Sequence, residues 1–131
     1  MSLSTVLVVE DQLDIQKVIQ MSLKFRGVPK VLVTKDGEEC LAIVKRTRPD
    51  LILLDVSMPK LDGFETCRRL KSNPETRGIP VIFLTASAQK SEEKTGMEVG
   101  ASGYLTKPFD PMTLHEQILA ILEKVKESGS V

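Results

Sequence analysis

The chemistry open to this chain rests on three carboxylates, Glu10, Asp11 and Asp55, together with the hydroxyl of Thr85 and the amine of Lys107. Each lies at the end of an apolar run, so folding can bring them to one rim. Two like charges ~4 Å apart repel by roughly 4 kcal/mol at an effective dielectric of about 20. Three converging carboxylates therefore need raised pKa values or a cation. Oxygen donors with no cysteine or histidine beside them select a hard ion, most simply Mg²⁺ with retained waters. Lys107, held by the following Pro108, supplies a second positive charge. A carboxylate beside Mg²⁺, a lysine and a threonine hydroxyl suits phosphoryl transfer. An Asp oxygen attacks phosphorus and forms an aspartyl phosphate. Metal, ammonium and hydroxyl then share the transferred group's three oxygens. Asp55 is the better nucleophile because it follows the most central-looking run, which leaves Glu10 and Asp11 as metal ligands.

The elements that must position these groups alternate along the chain. The apolar runs are Thr5-Val6-Leu7-Val8-Val9, Val31-Leu32-Val33, Leu51-Ile52-Leu53-Leu54, Val81-Ile82-Phe83-Leu84 and Tyr104-Leu105. The first, third and fourth are continuously apolar, as strands buried on both faces of a parallel sheet are. Between them fall helical patterns. Ile15, Val18, Ile19 and Leu23 share one face, and Gly27 stops that helix. Asp36 with Glu39 reads as a capping box ahead of Cys40, Leu41 and Val44. Asp62 caps a helix carrying Phe64, Cys67 and Leu70. A fourth helix over 91–99 is polar and interrupted by Gly96. A fifth starts with Asp110 as N-cap and Pro111 in its first position, then presents Leu114, Ile118, Ile121, Leu122 and Val125. Five strands and five helices in alternation predict an α/β fold, a (βα)5 doubly wound five-stranded parallel sheet, with function gathered at the strand carboxyl ends.

With the elements in place, five segments fall in a telling order: Val8-Val9-Glu10-Asp11, Leu53-Leu54-Asp55-Val56-Ser57-Met58-Pro59, Leu61-Asp62-Gly63, Leu84-Thr85-Ala86 and Tyr104-Leu105-Thr106-Lys107-Pro108-Phe109. In order and spacing the chain resembles the receiver domain of two-component response regulators, the chemotaxis single-domain type included. The resemblance implies a flavodoxin-like receiver fold over residues 4–126, followed by a polar tail at 127–131. It implies that Asp55 accepts a phosphoryl group from a sensor histidine kinase, a histidine phosphotransfer protein or a small phosphodonor. Asp11, Asp55 and the backbone carbonyl of Ser57 would bind Mg²⁺, with Glu10 acting through water. Thr85 and Lys107 would contact the phosphoryl group, and Tyr104 would rotate inward as Thr85 is drawn toward it. A downstream effector protein or output domain, or a phosphorylation-dependent homodimer, would read that change. The chain's own chemistry would stop at self-phosphorylation and slow autodephosphorylation. Glu at position 10 and Gly103 depart from the family's more usual Asp at both places. The latter would loosen the start of the last strand.

Other readings compete. Taken alone, Glu10-Asp11 serves equally well as a helix cap, and Tyr104 as a half-buried core aromatic. An aspartyl-phosphate phosphatase wants a second acid two residues after its nucleophile, where this chain has Ser57. A flavodoxin-type cofactor module wants a small, neutral phosphate cradle after the first strand, where Glu10-Asp11-Gln12 would repel a phosphate. A non-phosphorylated interaction module would have no use for all of Asp11, Asp55, Thr85 and Lys107. Eighteen basic and eighteen acidic residues give a net charge of 0, which argues against direct nucleic-acid binding. No apolar run approaches the roughly 20 residues needed to cross a bilayer. The two cysteines, Cys40 and Cys67, lie in helical patterns and read as reduced, packed thiols, which points to the cytoplasm.

Overall fold

The computed structural model describes residues 3–58, 60–86 and 90–129. Pro59 of the phosphoacceptor-like segment, and residues 130 and 131 of the polar tail, lie outside the described residues. In chain order the elements are β1 (Thr5–Val9), α1 (Leu13–Phe25), β2 (Lys30–Thr34), α2 (Gly37–Thr47), β3 (Leu51–Asp55), α3 (Gly63–Ser72), β4 (Val81–Thr85), α4 (Lys90–Glu98), β5 (Gly103–Thr106) and α5 (Leu114–Gly129). The strands form one parallel sheet in the order β2-β1-β3-β4-β5. The (βα)5 architecture read from the alternation is therefore the one observed, with β3 at the centre.

Successive strand side chains point to opposite faces, which is why the central runs are apolar throughout. Val6 and Val8, Leu51 and Leu53, and Ile82 and Leu84 pack with Ile19 and Leu23 of α1 and Leu114, Ile118 and Leu122 of α5. Leu7, Val9, Ile52, Leu54 and Phe83 pack on the other face with Cys40 and Val44 of α2 and Cys67 and Leu70 of α3. Cys40 and Cys67 are free and fully buried. Burial pushes their thiols up to about 12 and about 11.

The helix ends follow from local chemistry. Gly27 takes a φ of 91°, and Val28 N–H and Gly27 N–H bond back to the Leu23 and Lys24 carbonyls, closing a Schellman motif on α1. Asp36 and Asp62 accept from the backbone N–H of Glu39 and Glu65, each at 2.9 Å. The reciprocal bond of the α2 box lands one residue early, because the Glu39 carboxylate accepts from Lys35 N–H rather than from Asp36.

Two expectations shift. Asp110 does not cap α5: its carboxylate accepts from Met112 N–H at 2.9 Å in a turn, and the helix begins at Leu114. Gly96 does not interrupt α4, which is continuous over Lys90–Glu98. A Cβ there would lie 3.1 Å from the Phe83 ring, so the glycine lets the helix settle onto the sheet.

Candidate functional site

The rim at the strand carboxyl ends is built by pairing. β1 and β3 are neighbours, so the residues that follow Val9 face the end of β3. Asp55 and Thr85 remain inside the ladder, paired in register with Leu84 and Thr106, and are thus held by strand backbone rather than by loops. Gly63 closes the site from below. A Cβ on it would lie 2.3 Å from the Asp55 carbonyl oxygen, so only glycine lets α3 start so close to the end of β3.

Glu10, Asp11 and Asp55 each offer a carboxylate oxygen, and the three oxygens lie within 4.8 Å of one another. Glu10 has no exposed surface, Asp55 is 4% exposed, and Asp11 faces solvent. Lys107 Nζ lies 2.7 Å from Glu10 Oε1 and 3.5 Å from Asp55 Oδ2, so its charge sits between the two buried acids. Gln12 N–H donates to Glu10 Oε2 at 3.1 Å, and Ser57 N–H donates to Asp55 Oδ1 at 3.2 Å. Burial pushes the Glu10 carboxyl up to about 7, against the opposing pull of Lys107 and Gln12. Burial also raises Asp55, opposed by the Lys107 charge and the Ser57 amide. The Lys107–Pro108 peptide is cis, and Lys107 N–H donates to the Thr85 carbonyl at 2.7 Å. The buried Thr85 is tied in this way to the segment that carries Lys107.

Glu10, Asp11, Asp55, Thr85 and Lys107 therefore meet at one rim, and Ser57 joins them through its amide. Tyr104 stands apart from the acids. It is half-buried on β5, paired in register with Phe83, and the Glu93 carboxylate of α4 nearby raises its phenol above the ordinary value. Thr85 and Tyr104 nonetheless line one crevice. Gln16 escaped the sequence reading: its amide donates to the Glu10 carbonyl from inside the core. Its spacing to Ile19 and Leu23, a polar residue in register with an apolar face, was the available signal. The donor set is all oxygen and the acids are crowded enough to hold protons, so the residues fit a hard divalent cation.

Residues 6–119 match the family model described as "Response regulator receiver domain". The chain is 38% identical over 125 residues to the probable transcriptional regulator ycf27 of Porphyridium aerugineum, covering 95% of this chain and 50% of that one. It is 39% identical over 119 residues to the alkaline phosphatase synthesis transcriptional regulatory protein PhoP of Bacillus subtilis, covering 91% and 48%. The chain thus spans about half the length of these curated relatives. Among solved structures it is similar to the chemotaxis response regulator CheY4 of Vibrio cholerae, with a TM-score of 0.85 and 32% identity over 92% of this chain and 99% of that one.

Proposed function

The chain belongs to the response regulator receiver domain family of two-component systems, and from that premise we propose that Asp55 is its phosphoacceptor. The observation that carries this reading is the position of Lys107, within 3.5 Å of Asp55 and 2.7 Å of Glu10, in a cluster of three carboxylates. In the proposed reaction an Asp55 carboxylate oxygen attacks the phosphorus of a phosphohistidine or of acetyl phosphate. The new O–P bond forms as the donor's N–P or O–P bond breaks, leaving an acyl phosphate on Asp55. Lys107 attracts the incoming phosphoryl oxygens, and the Ser57 amide orients the attacking carboxylate. Asp11, Asp55 and the Ser57 carbonyl would hold Mg²⁺, with Glu10 reaching it through water. When bound, the ion supplies positive charge against the carboxylates and the phosphoryl oxygens. Thr85 would take a phosphoryl oxygen, and Tyr104 would turn toward the space this frees.

A histidine donor protein has a groove to approach along. Val18, Met21, Phe25, Pro111 and Met112 form an apolar trough on the α1 side, continuous with Ile15, Phe109 and Lys107 at the site. Met21, Phe25 and Met112 in this trough are each more than 60% exposed, a contiguous apolar patch of the kind that marks interaction surfaces. We assign sensor kinases or histidine phosphotransfer proteins to that trough, and an effector protein, an output domain or a second copy to the α4–β5–α5 face. Among the described residues no helix is long and apolar enough to cross a membrane, and a cytoplasmic location fits these partners. The chemistry proposed is self-phosphorylation with slow autodephosphorylation, and no separate substrate is turned over.

The test is intact mass spectrometry after incubation with Mg²⁺ and acetyl phosphate. The wild-type chain gains one phosphoryl group and Asp55→Asn gains none. An equal gain by Asp55→Asn removes the assignment.

A further inference from the structure

The turn that carries two of the three acids is gripped at both ends by one buried side chain. Glu10 N–H donates to the Thr34 carbonyl at 3.0 Å, and the Glu10 carbonyl accepts from the Gln16 side-chain amide. The Gln16 backbone N–H donates in turn to the Gln12 carbonyl at 3.0 Å. Gln16 thus ties down both the start and the end of Glu10-Asp11-Gln12. The Gln12 N–H bond to the Glu10 carboxylate lies within the turn and cannot anchor it. Gln12 itself, the residue ahead of α1, makes no side-chain cap. Asp11 is exposed and borders a cleft of about 500 Å³ that Thr34, Lys35 and Glu39 also line. Gln16, by contrast, shares the buried face of α1 with Ile19 and Leu23. An amide in that place costs desolvation that an apolar residue would not, and its hydrogen bond to Glu10 is what offsets the cost.

We infer that Gln16 is a positioning residue for the metal-binding acids: by holding the Glu10 carbonyl it fixes the turn, so that Glu10 points inward to Lys107 while Asp11 stays within reach of Asp55. This rests on the reading of Glu10, Asp11 and Asp55 as a Mg²⁺ site. Without the amide the Glu10 carbonyl loses its donor, and Asp11 can swing into the cleft beside it. A divalent cation must then restore the turn in order to bind, and its apparent affinity falls by the fraction of molecules in which the turn is in place. Gln16 touches none of the reacting atoms. Asp55 and Lys107 are held by other elements, so the phosphoryl-transfer step itself should survive once Mg²⁺ saturates the site.

The experiment compares wild type, Gln16→Met, Gln16→Asn and Thr76→Val. The last is the control for a purely structural loss, because the buried Thr76 hydroxyl donates to the Leu70 carbonyl at 2.6 Å, past the end of α3 and away from the acids. Mg²⁺ binding to the metal-free protein is measured by calorimetry, and phosphoryl uptake from acetyl phosphate by intact mass across a range of Mg²⁺ concentrations. Gln16→Met should bind Mg²⁺ roughly tenfold more weakly than Thr76→Val, as loss of a residue that orients metal ligands commonly does. The Mg²⁺ concentration for half-maximal uptake should rise by the same factor, while the rate at saturating Mg²⁺ stays within about twofold of wild type. Gln16→Asn keeps the amide but draws its donor back by one methylene; it should move the same way, and it decides the matter if Gln16→Met does not fold. Equal Mg²⁺ affinities in the Gln16 variants and Thr76→Val, or a rate loss that saturating Mg²⁺ does not restore, overturn the positioning role while the receiver reading stands. Wild type that neither binds Mg²⁺ nor gains a phosphoryl group removes the receiver reading, and the positioning role with it.

Discussion

Glu10 is fully buried within 2.7 Å of an ammonium group, yet its carboxyl is pushed up to about 7, because loss of water outweighs the ion pair. The consequence for stability has a definite sign. Between the ordinary carboxylate range and about pH 7 the folded chain keeps a proton that the unfolded chain releases, so stability falls as pH rises through that window. Asp55, raised by the same burial, adds to the fall. In metal-free buffer the thermal midpoint should therefore drop between about pH 5 and pH 7.5. The Glu10 share is at most about 3 kcal/mol, and Glu10→Gln should flatten the slope. Saturating Mg²⁺, which favours the ionised acids, should recover the lost stability at the upper end. Melting curves with chelator and with Mg²⁺ check this, and a midpoint that climbs with pH without metal would contradict it. The residue types at this site were legible in the sequence, because adjacent acids after an apolar run are rare and costly. Which of Glu10 and Asp11 turns inward was not. That choice depends on one residue of strand phase, fixed here by Glu10 N–H bonding to Thr34 and by Gln16 clamping the Glu10 carbonyl.

At the scale of elements, what is local was readable and what is tertiary was not. Asp36 and Asp62 cap as their spacing to Glu39 and Glu65 requires, since a cap is decided within four residues. Gly96 was misjudged because it answers to a distant partner, Phe83, whereas Asp110 is a local exception, its carboxylate being spent on Met112 in a turn that precedes the helix. At Gly103, where β5 begins, a Cβ would lie 2.8 Å from Ile121 Cγ2, so the missing side chain is what lets α5 lie close on the sheet. Gly103→Ala should cost about 1–3 kcal/mol by overpacking. In an Ile121→Ala background most of that cost should vanish, because the clashing methyl is gone. A denaturant double-mutant cycle measures the coupling, and purely additive costs would mean that Gly103 matters for backbone freedom alone.

For the molecule as a whole, parallel pairing in the order β2-β1-β3-β4-β5 explains why acids separated by forty or more positions meet. Continuous apolar runs announced that arrangement, since only a sheet covered on both faces has use for them. The trough along α1 was invisible beforehand, because it joins α1 to the segment before α5, and neither stretch is unusual alone. If histidine donors dock there, Met21→Ser with Phe25→Ser should slow phosphotransfer from a phosphorylated histidine protein by roughly tenfold or more. Labelling by acetyl phosphate, which needs no docking, should stay within about twofold, and equal slowing of both would place the defect in the site. The two sealed thiols, described above only as core, have a further use. A thiol held fully buried and protonated reacts with an alkylating reagent only during moments when its surroundings open. Cys40 and Cys67 lie in α2 and α3, the layer that covers the sheet face opposite α1 and α5. The alkylation rate of native protein, divided by that of the unfolded chain, is then a clock for the breathing of that layer. Phosphorylation at the far end of β3 should slow the clock if it tightens the layer from the rim inward, and leave it unchanged if the signal runs only toward α4.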